Sequence, residues 1–433
     1  MYNQNLIQKI QDGSATIGII GLGYVGLPLV IRFSEERFKV IGFDIDEKKC
    51  KSLNAGESYI KHISNISIQD SLTKGFEATS DWKRIEEVDC FLICVPTPLA
   101  DDNVPDLQYI FSTLKSVTPY LRQGQLMVLE STTYPGTTEE ELLPVAIQAG
   151  LKIGDDFFIG YSPERENPGS SDFSTQTIPK VVSGVTANCL AVTNALYKEI
   201  VDKTVPVSSP KVAEMTKLLE NIHRAVNIGL VNELKIAADK MEIDIFEVIK
   251  AASTKPFGFT PYFPGPGLGG HCIPIDPFYL TWKAKQLGVD TKFIELAGEV
   301  NTNIPNWVIS KAVNALAKSD KPMATSKILI LGLAYKKNVD DMRESPSLDL
   351  LNKLTNLGAR VDYHDFYIPK LTPTRKYSFE KSSVSLDTIS DYDLVLLATD
   401  HDAYDYKLLV AHSQIIVDTR GRLDRSASNV VAA

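Results

Sequence analysis

The feature that most constrains the fold is a glycine-rich turn that begins at Gly21, between two apolar segments. Residues 16–20 have the composition of a buried strand, and residues 27–36 that of a helix. The turn between them has the spacing Gly-x-Gly-x-x-Gly, which in a strand–turn–helix context is the fingerprint of a dinucleotide-binding fold. The sequence therefore predicts an α/β domain of the Rossmann type in this part of the chain.

Each glycine of the turn has a separate predicted task. Gly21 allows the tight turn, Gly23 lets a pyrophosphate approach the backbone, and Gly26 lets helix and strand touch. The helix N-terminus supplies amides and a partial positive charge. Asp44, at the end of the next predicted strand, lies where the ribose hydroxyl is expected, and its charge favours NAD over NADP. The cofactor-binding residues predicted from this pattern are Gly21, Gly23, Tyr24, Val25, Gly26 and Asp44.

The strand–helix alternation continues beyond this unit. Further buried strands are predicted at 89–95, 126–130 and 157–161. Ligands of open parallel sheets collect at the carboxyl ends of the strands, so polar residues there are candidates for a site, although turn chemistry alone also favours threonine and proline. The candidates are Thr97, Thr132, Glu164 and Arg165.

Long helical periodicity replaces this pattern from about residue 210. Two helices are predicted, at 212–241 and 243–252. Within the first, Lys217, Asn221 and Arg224 are spaced i, i+4 and i+7 and therefore share one face. Such a stripe is either a solvated face or the wall of a cleft, and the residues alone leave both readings open.

A second alternation of predicted strands and helices follows. Only part of the glycine motif is present in its first turn, at Gly332. Strands are predicted at 327–331, 360–363, 393–398 and 414–417, with a helix at 346–356. We therefore predict a second Rossmann-like domain. Lys336, Arg343 and Arg420 lie near its strand ends, where cations suit a diphosphate. The predicted fold is two Rossmann-like parallel-sheet domains joined by a central helical domain, with boundaries 1–209, 210–321 and 322–433.

Residues 265–277 form neither a regular helix nor a regular strand, because they contain four glycines and three prolines. Cys272 lies in this segment, and Asp276 follows four residues later. A thiol is a covalent nucleophile when its thiolate can form. The alternative is a packed cysteine in a tight turn, which is common for a lone cysteine.

Composition excludes several classes of protein. The 433 residues are too many for one core, and 44% are hydrophobic and 23% charged. The net charge of -9 argues against a nucleic-acid binder. The five scattered cysteines lack metal-ligand spacing, which predicts no metal site and a reducing compartment. The chain has no apolar run of the roughly 20 residues that a membrane span needs, so we expect a cytoplasmic protein.

Five motifs together resemble the UDP-glucose/GDP-mannose dehydrogenase family over nearly the whole chain. They are GLGYVGLPL at 21–29, ESTTYPGTT at 130–138, the Lys217–Asn221 helix, PGPGLGGHCIPIDP at 264–277 and GLAYKKNVDDMRESPS at 332–347. Arg165 after Glu164 and His271 before Cys272 are similar to the UDP-N-acetylhexosamine branch of the family. The TTYPGTT form is similar to the members that act on UDP-N-acetylglucosamine (UDP-GlcNAc).

The resemblance implies an NAD-dependent, four-electron oxidation of the sugar C6 alcohol to a uronate. Cys272 would be the nucleophile, through a thiohemiacetal and a thioester, and Lys217 would stabilise the oxyanion. Asp276 and Thr132 would orient water and assist proton transfer, Glu164 would act in hydrolysis, and Asn221 would hold the substrate. His271 is expected to orient the loop.

The resemblance also implies the contacts to both ligands. Implied substrate contacts are Arg165, Lys217, Asn221, Arg224, Gly269, Lys336 and Arg420. Implied cofactor contacts, beyond the glycine turn, are Lys49, Thr97, Thr132 and Arg343. A homodimer through the central helical domain and a place in surface-polysaccharide synthesis are implied as well. The alternatives are a 6-dehydrogenase for UDP-N-acetylmannosamine, UDP-N-acetylgalactosamine or UDP-glucose, a single-step nucleotide-sugar oxidoreductase, and a non-catalytic protein that binds NAD and a UDP-sugar.

Overall fold

The computed structural model of the chain describes residues 2–60, 63–100, 103–165, 174–270, 272–374 and 376–433. The chain divides into two compact units, Met1–Glu220 with Phe278–Val289 and Asn221–Pro277 with Asp290–Ala433. Each unit contains a sheet of parallel strands with helices. The predicted α/β class with two Rossmann-like sheets is confirmed. The three-domain boundaries remain a prediction.

The first unit is built on an eight-stranded sheet. Its strands are β1 (Thr16–Ile20), β2 (Lys39–Phe43), β3 (Glu77–Thr79), β4 (Cys90–Ile93), β5 (Gln125–Leu129), β6 (Phe157–Tyr161), β7 (Lys180–Gly184) and β8 (Thr204–Pro206). Their order is β3-β2-β1-β4-β5-β6-β7-β8. The strand order reverses between β1 and β4, and α/β sheets bind ligands at such a switch point. Strands β4, β5 and β6 are buried along their whole length, as expected where helices cover both faces. Strand β7 runs antiparallel to β6, which the sequence pattern did not predict.

The helices include one that is much longer than its neighbours. They are α1 (Tyr2–Gln11), α2 (Gly26–Glu35), α3 (Glu47–Asn54), α4 (Asn65–Thr73), α5 (Gln108–Val117), α6 (Leu143–Gln148), α7 (Ala187–Lys198), α8 (Pro210–Lys240), α9 (Ile245–Ala252), α10 (Asp276–Gln286), α11 (Lys292–Ala317), α12 (Pro346–Asn356) and α13 (Tyr406–His412). Helix α8 has 31 residues and starts at a proline, whose fixed φ suits a first helical turn. It carries both Lys217 and Asn221. Among the described residues, no helix is long and apolar enough to cross a membrane.

The second unit contains a smaller parallel sheet. Its strands are β9 (Lys327–Leu331), β10 (Arg360–His364), β13 (Leu394–Leu397), β14 (Ile416–Asp418) and β15 (Val430–Ala432), and a separate pair is formed by β11 (Lys370–Leu371) and β12 (Lys381–Ser382). The order β10-β9-β13-β14-β15 repeats the order β2-β1-β4-β5-β6 of the first sheet. Asp365, after β10, occupies the place of Asp44 after β2. Its carboxylate already accepts hydrogen bonds from the amides of Leu333 at 2.7 Å and Ala334 at 3.0 Å, and it lies 3.1 Å from His401 Nε2.

Candidate active site

The glycine turn has the backbone shape that a dinucleotide site requires. Gly21 has φ +92°, and a Cβ there would lie 2.7 Å from the carbonyl oxygen of Cys94. A Cβ at Gly26 would lie 1.9 Å from the Gly21 carbonyl oxygen, so helix and strand touch only because it is absent. A Cβ at Gly23 would meet nothing within 4 Å, so the space beside this glycine, ahead of the N-terminus of α2, is open. Tyr24 and Val25 form the turn into that helix.

Asp44 directly follows strand β2 of the same unit, beside this turn. Its Oδ2 accepts a hydrogen bond from the Leu22 amide at 3.1 Å and lies 3.6 Å from Lys49 Nζ. Lys49 Nζ also lies 5.6 Å from the ring centroid of Tyr59, and the Tyr59 hydroxyl donates to the carbonyl oxygen of Leu22. The sequence did not point to Tyr59, because only folding brings it to this turn. The donors and the open space of this unit fit an adenine dinucleotide.

Threonines follow β4 and β5 at the edge where the glycine turn lies. Thr97 is buried and Thr132 half-buried. The two loops are tied together, because the hydroxyl of Ser131 donates to the carbonyl oxygen of Val95 at 2.7 Å. The next residue, Thr133, is fully buried, and its hydroxyl has no hydrogen-bond partner among the described residues. Thr133 was missed by the sequence analysis, since nothing in a run of two threonines says which hydroxyl is buried.

Lys217 and Glu164 form a direct contact in the first unit. Nζ of Lys217 lies 2.7 Å from the carbonyl oxygen of Glu164 and 3.1 Å from its Oε2. The lysine side chain is buried and that of the glutamate nearly so. The ammonium group therefore sits in a low-dielectric environment, where it interacts more strongly with negative charge than in water. The stripe on α8 is thus not a solvated face at Lys217.

A buried ion pair supports the segment that carries Glu164. Lys180 Nζ lies 2.6 Å from Glu130 Oε2 and donates to the carbonyl oxygen of Pro163 at 3.0 Å. The other carboxylate oxygen of Glu130 accepts from the hydroxyl of Tyr197. Burial raises the pKa of Glu130, and the charge of Lys180 opposes that rise. The sequence gave no sign of this support, because its members come from distant positions in the chain.

Arg165 is held by the protein itself. Its Nη2 lies 2.6 Å from Glu220 Oε1, and its Nη1 donates to the carbonyl oxygen of Pro179 at 2.5 Å. These contacts fix the side chain beside the start of β7. Its predicted contact with substrate remains a prediction.

The glycines before Cys272 allow close contact with other parts of the second unit. A Cβ at Gly269 would lie 2.7 Å from Tyr335 Cβ, and one at Gly270 would lie 2.9 Å from Tyr335 Cε2. Gly270 has φ +92°, and its amide donates to the Arg343 carbonyl oxygen at 3.1 Å. A Cβ at Gly267 would lie 3.0 Å from Pro346. The space that these glycines leave is therefore filled by the protein itself, and the predicted substrate contact of Gly269 remains a prediction.

Cys272 is the one cysteine of the chain that is not buried, and all five cysteines are among the described residues. Its carbonyl oxygen accepts a hydrogen bond from the Asp276 amide at 2.8 Å, so the thiol lies one turn before helix α10. The buried carboxylate of Asp276 accepts from Asn221 Nδ2 at 2.5 Å. This unit therefore joins three of the predicted catalytic residues. His271 lies outside the described residues.

Cations surround the loop that follows β9. Burial lowers the pKa of Lys336, and the charge of Arg224 lowers it further. Burial also acts on the neighbouring Tyr335, whose pKa it raises to about 12. Arg343 forms an ion pair with Asp341 at 2.6 Å and is partly exposed. Arg224 thus comes close to Lys336 on the same unit, although it precedes Lys336 by more than 100 residues in the chain.

Arg420 follows β14 and lies against the cysteine-bearing loop. Its Nε donates to the carbonyl oxygen of Ala398 at 2.7 Å, and burial lowers the pKa of its guanidinium. A Cβ at Gly265 would lie 2.7 Å from Arg420 Nη1. Among the described residues, no group of three His, Cys, Asp or Glu side chains could hold a metal ion.

The fold and these groups define a nucleotide-binding α/β protein with a thiol and its supporting carboxylate in the second unit. Comparison with known families extends this. The chain matches the NAD binding domain of the UDP-glucose/GDP-mannose dehydrogenase family at residues 15–201, its central domain at 211–303 and its UDP binding domain at 329–425. The chain belongs to this family. It is an NAD-dependent dehydrogenase.

Individual relatives cover almost the whole chain. It is 36% identical to a UDP-N-acetyl-D-glucosamine 6-dehydrogenase of Salmonella typhi over 390 residues, 90% of each chain. It is 33% identical to a UDP-N-acetyl-D-mannosamine dehydrogenase of Escherichia coli K12, covering 94% of this chain and 99% of the relative. A UDP-D-ManNAc dehydrogenase structure from Pyrococcus horikoshii superimposes with a TM-score of 0.86 at 29% identity, covering 96% of this chain and 98% of that one. The relatives thus differ in the sugar that they are named for.

Proposed function

We propose that the chain oxidises the C6 alcohol of a UDP-N-acetylhexosamine to the uronate, with two equivalents of NAD. The observation that carries this proposal is the half-buried Cys272, one turn before Asp276, whose carboxylate is fixed by Asn221. NAD supplies the hydride acceptor. A thiol is needed because it keeps the aldehyde covalently bound between the two oxidations.

The proposed roles follow from the contacts of each residue. The Cys272 thiolate adds to the C6 aldehyde, giving a thiohemiacetal, whose oxidation gives a thioester. Lys217 stabilises the oxyanion at the sugar oxygen, which is favourable for a buried ammonium. Asp276 accepts a proton, and Asn221 holds both this carboxylate and the substrate.

Hydrolysis of the thioester completes the proposed reaction. Water adds to the thioester carbonyl, the carbon–sulfur bond breaks, and the uronate leaves as the thiol is restored. Glu164 would accept the proton of the attacking water, since its carboxylate lies beside Lys217 at 3.1 Å. Thr132 is proposed to orient that water. Thr133 is an alternative for this task, because its buried hydroxyl has no partner among the described residues.

For the sugar we propose UDP-GlcNAc. Support comes from the TTYPGTT form and from two relatives named for this sugar, at 36% and 33% identity, beside one named for N-acetylmannosamine at 33%. The test is a panel of UDP-GlcNAc, UDP-ManNAc, UDP-GalNAc and UDP-glucose, compared by kcat/KM from the absorbance of NADH at 340 nm. The proposal predicts the highest value for UDP-GlcNAc. A higher value for another sugar would replace it with the corresponding alternative, and no oxidation of any sugar would favour a binding protein.

We also propose a cytoplasmic homodimer. The cytoplasm is supported by the scattered cysteines, four of which are buried as free thiols. The dimer is supported by the exposed apolar residues Leu230 and Leu234 on one face of α8 and by the exposed Met241 directly after this helix. Light scattering after size-exclusion chromatography tests it. Leu234→Lys is expected to give a monomer if this face is the interface, and an unchanged dimer would exclude the face.

A further inference from the structure

Lys235 is a buried lysine that the proposed reaction does not use. It lies on α8 with 4% of its surface exposed, and its Nζ donates to the carbonyl oxygen of Gly265 at 2.9 Å. One turn earlier, Asn232 Oδ1 accepts from the Gly265 amide at 3.0 Å. Helix α8 therefore holds both polar backbone groups of Gly265, at the start of the loop that leads to Cys272.

Arg420 lies against the same glycine. A Cβ at Gly265 would lie 2.7 Å from its Nη1, so its guanidinium packs directly against this glycine. Two cations thus meet at one backbone residue, and each has a carbonyl oxygen as a partner. Within the described ranges, neither cation has a carboxylate oxygen within the 4.0 Å of an ion pair.

The carboxylates around this pair have other partners. Asp418 accepts hydrogen bonds of 2.8 to 3.0 Å from four backbone amides, those of Arg420, Gly421, Arg422 and Leu423. Asp239 is paired with Lys311 at 2.6 Å, Asp244 with Arg425 at 3.2 Å and Asp400 with Arg422 at 3.5 Å. Two adjacent buried cations without such a partner are unfavourable, so either an anion binds beside them or the lysine loses its proton.

We propose that Lys235 is a further charged residue of the nucleotide site: it holds the Gly265 carbonyl and, with Arg420, balances the negative charge of a bound diphosphate. This inference rests on the UDP-sugar as ligand and adds a residue to its site. Lys235 acts through Gly265 and through its charge, so it is a positioning residue. A lysine with a merely structural role would have no reason to respond to the ligand.

A consequence is that ligand binding takes up a proton. The pKa of Lys235 is lowered to about 7, chiefly by burial and next by the charge of Arg420. Arg425 acts in the same direction, whereas Asp418 and Asp239 oppose it. At pH 8 the amine of the free protein is therefore mostly neutral. A diphosphate nearby favours the ammonium form, because opposite charge raises the pKa of an amine.

Calorimetric titration with UDP-GlcNAc, without NAD, measures this uptake. The apparent binding enthalpy is compared in Tris and HEPES, whose ionisation enthalpies differ, at pH 8 and pH 6. A sugar diphosphate diester does not titrate in this range, so the proton must enter the protein. The matched variants are Lys235→Met, which removes the amine, Lys235→Gln, which retains a hydrogen-bond donor, and Lys240→Met, an exposed lysine of the same helix.

Wild type and Lys240→Met are expected to take up close to one proton at pH 8 and little at pH 6. Lys235→Met and Lys235→Gln are expected to bind about tenfold more weakly and to take up none. Binding by the wild type without uptake at pH 8 would overturn the Lys235 proposal alone, as would uptake that persists in Lys235→Met. Absence of binding by the wild type would overturn the UDP-sugar assignment as well. The wild-type comparison is decisive even where a variant does not fold.

Discussion

Asn221 Nδ2 donates a hydrogen bond of 2.5 Å to Oδ2 of Asp276, and both side chains are buried. The backbone amide of Asp276 in turn donates to the carbonyl oxygen of Cys272 at 2.8 Å. A chain of hydrogen bonds therefore connects helix α8 with the residue proposed as the nucleophile. It fixes a carboxylate one turn from the thiol.

Removing the amide of Asn221 is expected to slow the reaction. Asn221→Ala should lower kcat about 10- to 100-fold, because Asp276 loses a partner that orients it. Asn221→Asp should be worse at neutral pH, since two carboxylates at this distance cannot both ionise readily. Measurement of kcat for both variants from pH 6 to 9 checks that Asn221→Asp is the slower of the two. Equal loss in the two variants would contradict the role of the carboxylate charge.

Lys217→Met is expected to lower kcat about 100- to 1000-fold, with a smaller change in the Kd for UDP-sugar. The reason is that the ammonium beside Glu164 is proposed to stabilise charge that develops in the transition state. Lys211→Met is the control, because this lysine lies on the same helix but is exposed and paired with Glu139. Steady-state kinetics and calorimetry separate the two effects. A loss confined to binding would assign Lys217 to substrate recognition only.

Gly270→Ala should reduce activity strongly while Gly258→Ala should not. Both glycines have positive φ, +92° and +70°, so backbone strain is similar in kind. At Gly270 a Cβ would also meet the Tyr335 ring at 2.9 Å, whereas at Gly258 nothing lies within 4 Å. The rate of Cys272 alkylation, followed by mass spectrometry, reports displacement of the loop. Equal effects of the two substitutions would show that strain alone matters.

The buried amine of Lys235 predicts a pH dependence of stability. Its pKa is about 7 in the folded chain, whereas the ordinary pKa of a lysine is 10.5, so the unfolded chain binds the proton more strongly between these values. Stability should therefore rise with pH through this window. Lys235→Met should lack this rise and have a higher Tm than wild type at pH 7, by several degrees. Melting curves of both proteins from pH 6.5 to 9.5 check this. If the Tm of wild type and that of Lys235→Met changed with pH in the same way, the prediction would be contradicted.

Much of the fold could be predicted where a strand is buried on both faces. The apolar segment Phe157–Tyr161 was placed with its observed bounds for this reason. The antiparallel strand β7 was not predicted, because nothing in its sequence marks a reversal of direction. Helix α11 was not predicted either, since it contains Pro305, which usually ends a helix.

Those parts of the candidate site whose residues lie within one sequence motif could be predicted. Cys272 and Asp276 are close in the chain, so their proximity follows from sequence. The contacts of Tyr59, Lys180 and Lys235 join positions that are far apart, and no local pattern reveals them. Tyr335 packs against Gly269 and Gly270, and no local pattern reveals this contact because the residues are far apart in the chain.

The central claim is that Cys272 carries a covalent intermediate between two oxidations. The most direct test is the number of NADH formed per UDP-GlcNAc consumed, in wild type and in Cys272→Ser. The proposed reaction gives two NADH per sugar and a uronate with wild-type protein, whereas Cys272→Ser accumulates aldehyde or forms little product. One NADH per sugar from the wild type, or two from Cys272→Ser at an unchanged rate, would contradict it.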